Sequence, residues 1–180
     1  MKKSLTKDDW LRAAMELLRT RGVGGVRVLP LAKQLGVSRG SFYWHFEDQQ
    51  DLRDSMLDWW HREMTDTIIE QTSSMRGSAE KRLIFAAELI LRDGYNRYDP
   101  AIRSWAAGDK KAAKVMRRVV KKRLDYIFSL FREAGFSAAE ARARGDLLAV
   151  YLMSEEAILF DESLEDRLRL LRRQVRSLTN

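Results

Sequence analysis

The segment GVGGVRVLPLAKQLGVSRGSFYWHFEDQQDL, residues 22–52, decides the fold. Its spacing predicts a short helix, a turn at Gly36, a second short helix opened by Ser38, and an aromatic exit into a third helix opened by Asp48. That order is the grammar of a helix-turn-helix, whose second helix enters the major groove of DNA. Phe42 and Phe46, four apart, supply an anchoring face. Arg39, Ser41, Tyr43, Trp44 and His45 all hydrogen-bond or stack, which a buried helix would avoid. A helix of about seven residues is too short to be a core helix in its own right.

The surrounding composition agrees. The chain has 180 residues, 45% of them apolar and a third charged, so it is long enough to bury a real core and is not disordered. Its net charge of +7 favours a polyanionic partner. Residues 1–50 hold nine Lys/Arg against five Asp/Glu, so positive charge is densest where the motif lies. With no cysteine, disulfides and thiolate metal sites are excluded. No run approaches the roughly 20 apolar residues of a membrane span, and no signal-peptide core is present, so the expected location is cytoplasmic with no membrane partner.

Strand-like alternation is absent and the apolar spacing is helical nearly throughout, predicting an all-α chain of nine helices. Thr6 opens the first, with Trp10, Ala14, Leu17 and Leu18 as its buried stripe and Gly22 after its end. The second covers about Val28–Leu35, with Pro30 in the first turn, where no intrahelical N–H bond is lost. The third, about Arg39–His45, is capped by Ser38. The fourth runs from Asp48 to about Thr72, and Ser74–Ser78 reads as a linker. Helices then follow at about Ala79–Tyr95, from Asp99-Pro100 to Gly108, from Asp109 to Gly135, from the capping box Ser137–Glu140 to about Phe160, and from Ser163 onward. The expected domains are residues 1–47, a DNA-binding module, and 48–180, a regulatory and dimerisation domain joined to it by helix 48–72.

The stretch LAKQLGVSRGSFYWHF, residues 31–46, resembles the signature of the TetR (tetracycline-repressor) family, over roughly residues 8–55. The layout is similar too: a three-helix N-terminal module, a long fourth helix and an all-helical remainder. Asp99–Ala106 also resembles the regulatory domain of many members. The resemblance implies that Ser38 caps the recognition helix and touches phosphate, and that Arg39, Gly40 and Ser41 face base edges. Arg39 suits bidentate reading of guanine. Tyr43, Trp44 and His45 would hold the DNA backbone or the thymine-methyl edge and fix register. Lys2 and Lys3 would form an arm reaching the flanking groove. Two positions depart from the pattern. Arg27 and Val28 stand where a phosphate-holding threonine is usual, and Gln49 stands where a lysine is; Arg27 would supply the missing charge.

One short recognition helix reads too few base pairs, whereas a twofold pair reads two half-sites, so a homodimer on a palindromic operator is expected. The heptad Leu164, Leu168, Leu171, Val175 and Leu178, with Leu147, Leu148, Tyr151 and Ile158 before it, reads as a dimer interface or as intramolecular core. The apolar set Trp60, Met64, Phe85, Leu89, Trp105, Met116 and Tyr126 reads as core or as the lining of a small-molecule effector site. In this family such a ligand changes the spacing of the recognition helices, and it must bind the non-operator spacing better to shift anything. Lys110–Arg123, with eight basic residues, reads as a solvated face or as an electropositive entrance for an anionic ligand.

An enzyme is the main reading from another class. The chain has no thiol nucleophile, no glycine-rich phosphate loop, no paired histidines on a helix face and no expected cofactor or metal. His45 and His61 lie sixteen residues apart, with no carboxylates placed to complete a site. The expected function is a transcriptional regulator, a repressor released by a small molecule. The alternative is an effector-independent DNA-binding regulator or a partner-tethered one.

Overall fold

The computed structural model describes residues 5–159 and 161–180, without the side chains of 156–158. Lys2, Lys3 and the Ile158 side chain lie outside the described residues. The described residues are all-helical: α1 (Lys7–Gly25), α2 (Val28–Gln34), a 3-10 helix (Arg39–Trp44), α3 (Gln49–His61), a π-helical turn (Arg62–Asp66), α4 (Thr67–Ser74), α5 (Ala79–Asp93), α6 (Asp99–Gly108), α7 (Lys110–Glu133), α8 (Ala138–Ile158) and α9 (Leu164–Thr179). Among them, no helix is long and apolar enough to cross a membrane. The chain forms two compact units, Met1–Glu63 with Arg97–Arg117, and Met64–Asn96 with Arg118–Asn180.

The first unit is organised by α1. Thr6 and Asp9 close a reciprocal capping box, the hydroxyl accepting from the Asp9 N–H and the carboxylate accepting from the Thr6 N–H. Gly22, with φ +66°, breaks the helix; a further turn runs on to Gly25, beyond the predicted end, and delivers the buried Val26. The face carrying Trp10, Ala14, Leu17 and Leu18 is buried as its periodicity requires. α6 is tied to α1 by the Tyr98 hydroxyl, which donates to Glu16 Oε1 at 2.8 Å. Burial alone would raise the Glu16 carboxyl, but the bonds from Tyr98 and Arg19 outweigh it and hold it below the usual range. Two indoles donate within the same unit, Trp59 to Asp8 at 2.6 Å and Trp60 to Asp99 at 2.9 Å.

The predicted fourth helix is present from its Asp48 cap to Ser74, interrupted by the π-helical turn. The predicted linker Ser74–Ser78 lies inside the second unit, where Ser78 caps α5. α5 ends two residues early because Gly94 takes the left-handed conformation, φ +62°. The core of this unit packs Leu83 and Ala87 of α5 with Leu130 and Phe131 of α7, Leu148 of α8, and Leu168, Leu171 and Val175 of α9. A Cβ on Gly145 would stand 3.4 Å from Ile127, an ordinary contact between α8 and α7. Glu155, almost fully buried, receives two 2.6 Å bonds from Arg167, joining α8 to α9.

Within the α9 heptad, Leu168, Leu171 and Val175 fill the chain's own core against α5 and α8, as the intramolecular reading expects, whereas Leu164 is exposed. Heptad spacing marks one apolar stripe on a helix, and here its central three members are covered within the chain. Leu171→Ala should lower the free energy of unfolding by about 2–5 kcal/mol in denaturant titration. A loss within about 0.5 kcal/mol would place the side chain at a surface instead.

Candidate nucleic-acid interface

α2 begins without a side-chain cap, and Leu31 N–H bonds Arg27 C=O across the proline-containing first turn. It ends in a Schellman arrangement: Val37 N–H reaches Ala32 C=O at 3.0 Å, with Gly36 at φ +66°. Gly36 is thus required by the backbone. The chain then enters the segment predicted as an α-helix, and here the structure differs. Ser41 N–H bonds Ser38 C=O at 3.1 Å and His45 N–H bonds Phe42 C=O at 3.0 Å, three-residue steps that make a 3-10 helix of Arg39–Trp44.

Ser38 does not cap this helix. Its Oγ lies 3.2 Å from Ser41 Oγ, a pairing that the eclipsed i, i+3 geometry of a 3-10 helix favours. Gly40 in the first turn and the aromatic run behind it are weak α-formers, so tertiary anchoring decides the conformation. The anchor is Phe42, fully buried, stacked on Phe46 at 5.1 Å between centroids and edge-to-face with Trp10 at 5.7 Å.

With Phe42 and Phe46 turned inward, the other side chains face solvent. Ser38, Arg39, Gly40 and Tyr43 are exposed, Ser41 and His45 half-exposed, and Trp44 is 84% exposed. The structure thus brings together on one surface the seven recognition-helix residues singled out from the sequence. Gly40 has no intramolecular reason to be glycine: its φ is not positive, and an added Cβ would meet only Ser38 Oγ at 3.7 Å. Leu29, 63% exposed on α2, belongs to the same unit and was not foreseen.

The two departing positions are placed clearly. Arg27 is exposed, its Nε donating to Gly24 C=O at 3.0 Å. Gln49 donates from Nε2 to Val26 C=O at 2.9 Å, joining the start of α3 to the α1–α2 connection, so one of its amide hydrogens serves the fold. Asp48 Oδ1 accepts from Gln50 and Asp51 N–H at 2.7 and 2.8 Å and fixes where α3 begins. Arg39 Nη2 donates to Tyr43 Oη at 3.1 Å, an i, i+4 pair visible in the sequence only as a spacing.

Outside this surface the predicted residues separate. Trp60 and Trp105 are buried in the first unit's core, and Met116 is half-buried there. Met64, buried, and Phe85, Leu89 and Tyr126, half-buried, belong to the second unit, where Ser73 Oγ lies 3.4 Å from Tyr126 Oη. On α8, Tyr151 is half-buried; burial and the Glu155 charge push its phenol up. Leu147 and Val150 are each 62% exposed, and Met153 and Leu164 are also exposed apolar side chains, of which Val150 and Met153 were missed. Among the described residues, no group of three or more His, Asp or Glu side chains is arranged to hold a metal ion.

Comparison with known proteins agrees with this geometry. The family described as "Bacterial regulatory proteins, tetR family" matches residues 11–56. The class C tetracycline repressor protein of Escherichia coli is 28% identical over 169 residues, covering 89% of this chain and 68% of that protein. The Escherichia coli class A repressor from transposon 1721 is 40% identical over 48 residues, which span 27% of this chain and only 22% of that protein. In three dimensions the chain is similar to the transcriptional regulator FadR of Bacillus subtilis, solved in complex with stearoyl-CoA: TM-score 0.71, 16% identity, 97% of this chain and 98% of that one, which shows a shared fold. The helix-turn-helix that carries these residues on its outer face is thus similar, over residues 11–56, to the tetR family of bacterial regulatory proteins, and the helices that continue it share the fold of solved transcriptional regulators.

Proposed function

We propose that the protein is a sequence-specific transcriptional regulator, a repressor that binds a palindromic operator as a homodimer and is released by a small molecule. The family is one of regulators and not of enzymes. The observation that carries the reading is the face of the 3-10 helix, where Arg39, Gly40, Ser41, Tyr43, Trp44 and His45 stand outward from a buried Phe42–Phe46 anchor. A large indole left in water is costly unless a partner covers it. Arg39 is assigned to a base edge; Ser38, Tyr43, Trp44 and His45 are assigned to the backbone; Arg27 and the Lys2–Lys3 arm add phosphate contacts. In this division residues 1–47 bind DNA, and residues 48–180 regulate and dimerise.

The dimer surface is assigned to α8 and the start of α9, where Leu147, Val150, Met153 and Leu164 are exposed apolar side chains. The effector site is assigned to the second unit, around Met64, Phe85, Leu89 and Tyr126, for an apolar ligand. FadR, bound to an acyl-CoA, is the neighbour that supports this class of ligand. A regulator of this kind works in the cytoplasm.

Selection of bound duplexes from a random DNA pool tests the reading. An enriched palindrome is expected; no enrichment at low salt from folded dimer overturns it. Val150→Glu should sediment as a monomer and keep its helical signal, because the substituted side chain is exposed. A Val150→Glu protein that remains dimeric removes α8 from the interface. Gly40→Ala should stabilise the free protein by up to about 1 kcal/mol while weakening operator binding, since within the chain the new methyl makes only an ordinary contact with Ser38 Oγ and its outer side would face the DNA. Calorimetry and a binding titration on the same sample read both signs. Unchanged operator affinity would show that DNA does not approach Gly40 closely.

A further inference from the structure

Arg39 lies on an exposed surface, where a long side chain ordinarily samples many rotamers. Its guanidinium is nevertheless held: Nη2 donates to Tyr43 Oη at 3.1 Å, and the guanidinium carbon stands 6.0 Å from the Tyr43 ring centroid. Tyr43 is exposed as well, so its own order needs a cause. That cause is its ring, which packs against Phe42 in an edge-to-face contact at 5.3 Å and 88°. Phe42 is in turn clamped between Phe46 and Trp10, both buried. An unbroken series of ring contacts therefore runs from the core to the hydroxyl that holds the guanidinium.

We propose that Tyr43 sets the base preference of this protein by holding the Arg39 guanidinium in its reading orientation. This deepens the DNA-binding reading above and rests on it. Arginine carries about 2 kcal/mol of rotamer entropy, and a planar fork already held in place loses less on docking to a base edge. The geometry also separates two roles of one hydroxyl. Its oxygen accepts from Arg39, and its own proton remains free to donate to a phosphate oxygen. The first role acts only through Arg39 and changes preference between bases. The second acts on every sequence alike. Tyr43 is thus a positioning residue for base reading in addition to any backbone contact.

The test measures affinities of the wild type, Tyr43→Phe, Arg39→Ala and the double variant for the selected duplex and its single-base-pair variants at one salt concentration. All substituted side chains are exposed, and phenylalanine keeps the ring contact with Phe42, so equal melting temperatures are expected. Arg39→Ala should abolish discrimination at one base pair in each half-site. Tyr43→Phe should reduce discrimination at that same base pair by about three- to tenfold. In the Arg39→Ala background it should leave that ratio unchanged. A loss of affinity common to all duplexes reports the phosphate contact and cancels in the ratio. An unchanged ratio in Tyr43→Phe, or a change at a different base pair, overturns the positioning role while leaving the regulator reading intact. A wild type that prefers no sequence overturns both.

Discussion

The burial of one phenylalanine is the constraint on which the recognition surface depends. The six residues Arg39–Trp44 contain a glycine and three aromatics and are far too short to be helical alone. Phe42 inserts among Trp10 and Phe46, and that contact selects a three-residue hydrogen-bond step over a four-residue one. Once Phe42 is inside, the remaining orientations follow. Ser38 and Ser41 fall on one line of the 3-10 helix and bond each other, Tyr43 lies against the Phe42 edge, and Trp44 is left in water. The functional face is the complement of the buried one.

Around that insertion the first unit spends its polar groups on fixing angles. Trp59 and Trp60 are adjacent on α3 yet donate to different helices, to Asp8 at the start of α1 and to Asp99 at the start of α6. Both acceptors lie in first turns, where a carboxylate is already favoured by the unpaired N–H groups. Tyr98 adds a bond from α6 to the middle of α1. An apolar contact alone would let these helices slide, whereas the Trp59 and Trp60 indoles each reach their acceptor at one position. Small domains gain definition from such bonds at modest net energy.

Much of this was legible in the sequence, because the relevant signals are local. Caps at Thr6, Asp48, Ser137 and Ser163, and the turn at Gly36, depend on residues three or four apart, and each appears where its spacing places it. The outward set on the recognition helix followed from the i, i+4 pair Phe42 and Phe46. What failed was everything requiring knowledge of the facing element. Ser38 has the side chain of a cap, but the competing Ser41 hydroxyl is visible only once the helix is known to be 3-10. The α9 leucines have the period of an interface, but periodicity does not say whether the covering helix is α5 of the same chain or a second copy. Val150 and Met153 were hidden for the same reason, since an exposed apolar residue is recognised by what does not cover it.

Charge shows the same limit in another form. Lys110–Arg123 is the most basic stretch of the chain, and on composition alone it competes with the recognition helix as a site for an anion. In the structure half of its positive groups are spent internally. Lys111 pairs with Asp54 and Lys122 with Asp66, Lys121 pairs with Asp125 on its own helix, and Arg123 bonds Thr65 and the Met64 carbonyl. The recognition surface has far fewer cations, but among the described residues Arg39 is bonded there to a neutral hydroxyl and Arg27 to a neutral carbonyl. A guanidinium held by a neutral partner keeps its full charge for a phosphate or a guanine edge, whereas one already facing a carboxylate must give up that pair first. The count of positive residues therefore does not by itself rank the two stretches; what each cation is already bonded to must be weighed as well.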